Sequence, residues 1–345
     1  MALPNTPVAF VTGPTGFLGS HLVERLLQRG YEVRGLVHRD PEWTLDSDGW
    51  IETLPVTCFQ GSLSDESVLR RAIQDVNIVY HLAGLTQAPS REVFYQTNVQ
   101  GTLNVLRAIQ EVAPDLHRVL ITSSLAAVGN VESRPATEES PLRPVSTYGE
   151  SKAAMERALR HQPTKDTPFW DSLPLTVVRP SSTYGPRDPD SVVFHRIVQR
   201  GICPTVQTPN GSRLSLVFVH DLIEGLISAA ESETTTGETY MLGSHRTYSW
   251  TEIGDAIAEA LGHRSPYAVQ IPRSLLYILG GISEFWEWLS GNFPEFNREK
   301  AREICRACKT CRICKAQDDF GYNPSTPLAQ GMRETVEWYR RAGWL

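Results

Sequence analysis

Tyr148-Gly149-Glu150-Ser151-Lys152 places a phenol and an ammonium four residues apart. On a helix that spacing puts both on one face. A nearby cation favours the phenolate and draws the tyrosine down from its ordinary value of about 10 towards working pH. Tyr148 then suits a general acid/base that moves a proton on or off an alcohol. Upstream, the apolar run Val119-Leu120-Ile121 ends in Thr122-Ser123-Ser124. A hydroxyl at such a strand end can hydrogen-bond a carbonyl or alkoxide. The third feature is Thr12-Gly13-Pro14-Thr15-Gly16-Phe17-Leu18-Gly19, directly after the strand-forming Val8-Ala9-Phe10-Val11. Its first glycine allows a tight turn, and its second lets backbone N–H groups approach a pyrophosphate. The third glycine lets helix pack on strand, while the helix N-terminus supplies a positive dipole end. Gly13, Thr15, Gly16, Phe17, Leu18 and Gly19 are therefore expected to hold a dinucleotide.

Those residues need a scaffold, and the first half of the chain supplies one. Strands are expected at Val8–Thr12, Glu32–Val37, Val56–Phe59, Asn77–Leu82, Arg118–Ser123 and Leu175–Arg179. Several are unbroken apolar runs, the pattern of parallel strands buried on both faces. Helical patterns at Phe17–Arg29, Asp65–Gln74, Val93–Val112 and Tyr148–Leu159 alternate with them. The fold class is α/β, a doubly wound parallel sheet. After Arg179 prolines interrupt the rhythm around a short helix, Ser191–Arg200. Leu214–Val219 reads as a strand returning to the sheet and Asp221–Glu231 as a helix. Ser249-Trp250-Thr251-Glu252 is a capping box opening another helix, which ends near Gly262. Residues 1–180 with about 214–243 are assigned to the dinucleotide domain. Residues of about 181–213 with 244–345 form a smaller, discontinuous, mostly helical C-terminal substrate lobe.

Composition excludes several classes. The formal net charge is −6, and no lysine-arginine stripe offers a nucleic-acid surface. No stretch is long and apolar enough to span a bilayer; Leu275–Leu289 comes nearest and is interrupted by Glu284 and Glu287. The first strand begins within ten residues of Met1, leaving no room for a secretory leader, so a cytoplasmic protein is expected.

The chain resembles the extended short-chain dehydrogenase/reductase superfamily, the NAD(P)-dependent epimerase/dehydratase type. The resemblance rests on the glycine loop, His81-Leu82-Ala83-Gly84, Asn98-Val99-Gln100-Gly101-Thr102, Thr122-Ser123-Ser124 and Tyr148–Lys152. It continues through Arg179-Pro180-Ser181-Ser182-Thr183-Tyr184-Gly185-Pro186, Phe218-Val219-His220-Asp221 and Phe320-Gly321-Tyr322-Asn323-Pro324. It implies a Rossmann fold in which Ser124 (or Ser123) positions the substrate oxygen and Tyr148 transfers the proton. Lys152 binds the ribose hydroxyls, and Asn98 supports the active-site helix. It further implies cofactor contacts at Ser62, Leu63, Leu82, Ala83, Gly84, Thr122, Arg179 and Pro180. A homodimer through the Val93–Val112 and Tyr148–Leu159 helices follows from the same resemblance.

Two departures refine it. Ser62 stands where the family usually has an adenine-contacting aspartate. Leu214 stands where nucleotide-sugar enzymes often carry a diphosphate-binding arginine. The run Leu214–Val219 is more similar to the 3β-hydroxysteroid dehydrogenase-like and dihydroflavonol reductase-like branch, which implies a small apolar carbonyl or alcohol substrate. A nucleotide-sugar epimerase or dehydratase with tightly held NAD(P) is the alternative. At the end of the second strand Val37-His38-Arg39 carries no carboxylate for a ribose 2′-hydroxyl. Arg39 can pair with a 2′-phosphate, so NADP(H) is favoured over NAD(H), with His38 and Arg39 as contacts.

Cys305, Cys308, Cys311 and Cys314 form a C-x2-C-x2-C-x2-C run. A continuous helix would spread these side chains too widely for one ion, and a tetrahedral site needs a loop. They read as incidental thiols, with a redox patch or a metal as alternatives, and no metal ligand is assigned.

Overall fold

The computed structural model describes residues 3–38, 49–129, 134–161, 168–206, 213–278, 280–281, 301–302, 305 and 310–345. The first half alternates as its pattern requires. In order come β1 (Val8–Thr12), α1 (Phe17–Gln28), β2 (Glu32–Val37), β3 (Val56–Gln60), α2 (Glu66–Ile73) and β4 (Ile78–His81). Next are α3 (Arg91–Tyr95), a π-helical turn (Gln96–Gly101), α4 (Thr102–Val112) and β5 (Arg118–Thr122). Then α5 (Thr147–Arg160), α6 (Phe169–Ser172) and β6 (Leu175–Pro180) follow.

These strands lie in a seven-stranded parallel sheet ordered β10-β6-β5-β4-β1-β2-β3, where β10 is Glu238–Leu242. Side chains alternate across it. Ala9 and Val11 join the apolar layer under α1 and α8 (Val219–Glu231), while Phe10 joins the layer under α2, α4 and α5. Both faces are covered, which explains the unbroken apolar run Val8–Val11 in β1. The strand order reverses between β1 and β4. Sheets of this kind bind ligands at that reversal, beyond the carboxyl ends of the strands.

The second half departs from the sequence expectation. Leu214–Val219 does not return to the main sheet. It is β9 (Arg213–Phe218), parallel to β7 (Ser182–Tyr184) and antiparallel to β11 (Thr247–Ser249). The main sheet's last place goes to β10, beside β6. An apolar run shows that a strand is buried but not which neighbour buries it. Here β7, three residues long and just beyond the end of β6, captures β9 above the sheet's carboxyl edge. A two-stranded parallel pair, β8 (Ile202–Val206) with β12 (Tyr267–Ile271), adds more β structure than expected. Helices there include α7 (Val192–Gln199), α9 (Trp250–Leu261), α10 (Cys314–Phe320) and α11 (Leu328–Arg341). The capping box of α9 forms as read, with Gly262 closing it in the left-handed region. No helix among the described residues is long and apolar enough to cross a membrane.

Candidate active site

The glycine turn sits at the reversal point. Gly13 has φ of +70°, and a Cβ there would lie 3.1 Å from the backbone of Ala83 at the end of β4. Gly16 N donates to Gly13 O at 3.2 Å, closing the turn, and α1 begins at the next residue. No side chain caps α1 and no acidic residue occupies its first turn. Its N–H groups and dipole are therefore directed at the cleft, as an anionic pyrophosphate requires. At Gly19 a Cβ would stand 1.9 Å from Gly13 O, so helix and turn touch directly. The buried Thr122 Oγ1 at the end of β5 also has no hydrogen-bond partner among the described residues. The backbone cradle and that unused hydroxyl both fit a dinucleotide. Phe17 and Leu18 are half-buried against the core, and Thr15 is buried. His38 is exposed at the end of β2, whereas Arg39 falls outside the described residues. Ser62 turns inward: its N–H and hydroxyl both donate to Asp65 Oδ2, at 2.7 and 3.1 Å. Leu63 packs against Gly101, where a Cβ would meet it at 2.7 Å.

A chain of hydrogen bonds links this turn to α5. Ala83 N donates to Thr12 Oγ1 at 3.1 Å, so the Thr12 hydroxyl is directed at His81 Nδ1, 2.8 Å away. Thr102 Oγ1 donates to Asn98 O and therefore accepts from His81 Nε2, also at 2.8 Å. That assigns the neutral tautomer with hydrogen on Nε2. Burial holds the His81 pKa down to about 3, helped by the nearby Lys152 charge. Asn98 lies in the π-helical turn, a distortion that recurs at functional sites. Its Nδ2 donates to Leu85 O (3.0 Å) and Ser151 Oγ (2.9 Å), and its Oδ1 accepts from Leu85 N (2.8 Å). Asn98 thus ties the segment after β4 to α5. Leu82 and Ala83 are half-buried and Gly84 is exposed. A Cβ on Gly84 would sit 3.0 Å from Lys152 Nζ.

Burial has a measurable consequence here. His21 and His195 are also pushed down, to about 3 and about 4, again chiefly by burial. All three histidines are neutral when folded but bind protons near 6.5 when unfolded. Each contributes stability above about pH 6.5 that is lost as pH falls towards its folded value. The Asp188 carboxyl, raised to about 7 by burial, runs the other way and offsets one of them. Taking the protein from pH 7 to 5 should therefore destabilise it, by on the order of 2 kcal/mol per histidine before that offset. Chemical denaturation at both pH values reads this directly.

The two adjacent serines have different partners. Ser123 is buried, and its hydroxyl donates to Glu156 Oε1 at 2.6 Å. Ser124 is half-buried and its Oγ accepts from Ala126 N at 3.1 Å, capping a single 3-10 turn (Leu125–Ala127). The N-terminus of α5 lies directly on that turn, since a Cβ on Gly149 would be 2.4 Å from Ala126 O. Ser146 caps α5 by accepting from Gly149 N. Tyr148 is half-buried with its ring 6.4 Å from that of Phe94. One turn on, Lys152 is buried and Nζ donates to Thr122 O at 2.8 Å. Burial lowers its pKa to about 8, against the opposing pull of Glu156. Ser124, Tyr148 and Lys152 thus gather around the end of β5.

Arg179 is placed differently from the expectation. Its guanidinium is buried and bidentate to Glu156, with Nε to Oε1 at 2.9 Å and Nη2 to Oε2 at 2.6 Å. Nη1 donates to Glu138 O at 3.1 Å. The guanidinium is committed to Glu156 and to Glu138 O, so the Arg179 side chain is not offered to a cofactor. Pro180 is buried beside it. Glu156 was missed by sequence reasoning, although it follows Lys152 by four residues on the same helix face.

A separate cavity of about 640 Å³ lies between β9, α9 and residues 324–329, and none of Ser124, Tyr148 or Lys152 lines it. The cysteines are dispersed among different surroundings. Cys305 is buried with Val206, Leu276 and Ala301, Cys311 makes a backbone bridge to Ala136, and Cys314 opens α10 at the surface. Cys308 is outside the described residues. Among the described residues no three His, Cys, Asp or Glu side chains are placed to hold a metal ion.

These parts define a dinucleotide-dependent enzyme on a doubly wound sheet. The chain belongs to the NAD dependent epimerase/dehydratase family, which matches residues 9–243. It is 29% identical over 347 residues to the ceramide reductase of Caulobacter vibrioides, spanning 100% of this chain and 98% of that one. It is 25% identical over 356 residues to the decarboxylating sterol-4-alpha-carboxylate 3-dehydrogenase of Homo sapiens, across 96% and 87%. The crystal structure of gox2253 superposes with a TM-score of 0.78 at 27% identity, over 99% of this chain and 100% of that one.

Proposed function

We propose that the enzyme interconverts a carbonyl and an alcohol on a small, apolar, lipid-like substrate, with NADP(H) preferred to NAD(H). The observation carrying this is the convergence of Ser124, Tyr148 and Lys152 on the end of β5, beside the glycine turn. Gly13, Gly16, Gly19 and the N-terminus of α1 would hold the pyrophosphate, and Lys152 the ribose. A bound nicotinamide supplies or accepts the hydride. Tyr148 moves the proton at the substrate oxygen, which Ser124 holds by a hydrogen bond. Ser124 suits this role better than Ser123, whose hydroxyl is committed to Glu156. Lys152, with its pKa near 8, supplies a positive charge one turn from Tyr148. Asn98 fixes the start of α5 through Ser151.

Two side chains argue against a diphosphate-bearing substrate. Leu214 is buried in the core, and Arg213 donates to Thr247 O at 2.5 Å and pairs with Glu252 at 3.2 Å. The ceramide- and sterol-acting relatives favour an apolar substrate. The preference for NADP(H) rests on Arg39, and a homodimer through the α4 and α5 faces is part of the same reading.

The assay follows absorbance of reduced dinucleotide with ketones of ceramide and sterol type, and with UDP-glucose. We expect stoichiometric consumption with an apolar ketone and a lower KM for NADPH than for NADH. Conversion of UDP-glucose without net consumption would overturn the proposal in favour of an epimerase.

A further inference from the structure

Beneath the site lies a charge cluster centred on Glu156, whose side chain has no solvent exposure. It sits on α5 one turn beyond Lys152. Its carboxylate accepts from Ser123 on one side and from Arg179 twice on the other. Arg160, one turn further along α5, donates to Glu156 O at 3.2 Å and has Nη1 3.8 Å from Oε2. One carboxylate therefore joins the end of β5, the end of β6 and the helix bearing Tyr148 and Lys152.

We propose that Glu156 is a positioning residue: it holds Ser123, and through it Ser124, in register with α5, and it keeps the Lys152 ammonium charged from one turn away. The proposal rests on the Ser124–Tyr148–Lys152 reading above. A buried ion pair is a poor way to gain stability, because apolar residues of equal volume commonly do as well or better. An apolar pair, however, can neither orient a hydroxyl nor present negative charge along a helix face. The surroundings of Lys152 make that charge count. His81 faces it from β4 and is neutral, and Thr122 O accepts from it as a neutral partner. Tyr148 lies one turn back on its own helix. Burial disfavours the ammonium, and Glu156 is the charge opposing it. Around Glu156 itself stand Arg179 from β6 and Arg160 from α5; Arg179 Nη1 also donates to the main-chain oxygen of Glu138.

The test compares the wild type with Glu156→Gln and with Glu156→Gln/Arg179→Met, all without dinucleotide. The readout is the ε-carbon chemical shift of Lys152 in 13C-lysine-labelled protein, followed against pH. Circular dichroism checks folding. The double variant removes the buried Arg179 charge together with the carboxylate that pairs it, leaving only the part-exposed Arg160 without a carboxylate, so it carries the test if the single variant unfolds. We expect the Lys152 midpoint to fall by about one pH unit in both variants. In separate titrations with NADPH, the pH at which its affinity weakens should move down with that midpoint. A folded double variant with the wild-type midpoint would show that the cluster only packs the sheet against α5. Because neither readout is turnover, a failure of the Tyr148 assignment would leave this result distinguishable.

Discussion

Replacing Tyr148 by phenylalanine is expected to lower turnover by about a hundred- to ten-thousand-fold, the span supplied by a positioned general acid. Dinucleotide affinity should hardly change. The substitution removes only the phenolic oxygen. The ring keeps its place beside Phe94, and α5 keeps its Ser146 cap and the bonds of Ser151 to Tyr148 O and Asn98. The lost rate should appear in kcat far more than in KM, because the missing interaction belongs to the proton-transfer step. Steady-state kinetics with NADPH and the best ketone, alongside a fluorescence titration of NADPH, separate the two. Wild-type turnover in a folded Tyr148→Phe protein would remove Tyr148 from the mechanism.

The β1–α1 unit was readable because everything that specifies it is local: an apolar run, three glycines and a helix pattern within about twenty residues. The main-sheet strands ended within a residue or two of their expected limits. What failed was non-local. Leu214–Val219 looks like a core strand in any sheet, and only its register against Ser182–Tyr184 assigns it to the smaller one. Glu238–Leu242 mixes polar and apolar residues and gave no strand signal, yet it completes the main sheet. The site divides in the same way. The four-residue spacing of Tyr148 and Lys152 was visible, but the choice between Ser123 and Ser124 depends on Glu156, thirty-two residues beyond Ser124. The family resemblance assigns Arg179 to the cofactor, but its partner Glu156 lies on another element, where no local pattern reveals it. The single predicted helix Val93–Val112 also hid the π-helical turn that aims Asn98.

The glycine loop yields the second large effect, and it separates residues that spacing alone treats alike. Gly19→Ala would put a methyl group 1.9 Å from Gly13 O, 2.8 Å from Gly13 C and 2.9 Å from Pro14 Cα. All three neighbours are backbone, so relief requires moving either the turn or α1. Gly16 is different: its φ is −80°, which any residue adopts, and the nearest atom to an added Cβ is 3.4 Å away. Gly16→Ala should therefore fold within about 0.5 kcal/mol of wild type. It should still weaken NADPH binding about tenfold, since the methyl group stands at the mouth of α1 where the pyrophosphate must approach. Gly19→Ala should lose about 3 kcal/mol of stability through overpacking. A turn displaced by an ångström should also weaken binding about a hundredfold. Denaturant melts and NADPH fluorescence titrations of the two variants decide the matter. If Gly19→Ala melted and bound like wild type, the direct contact between turn and helix could not be what shapes the dinucleotide cradle.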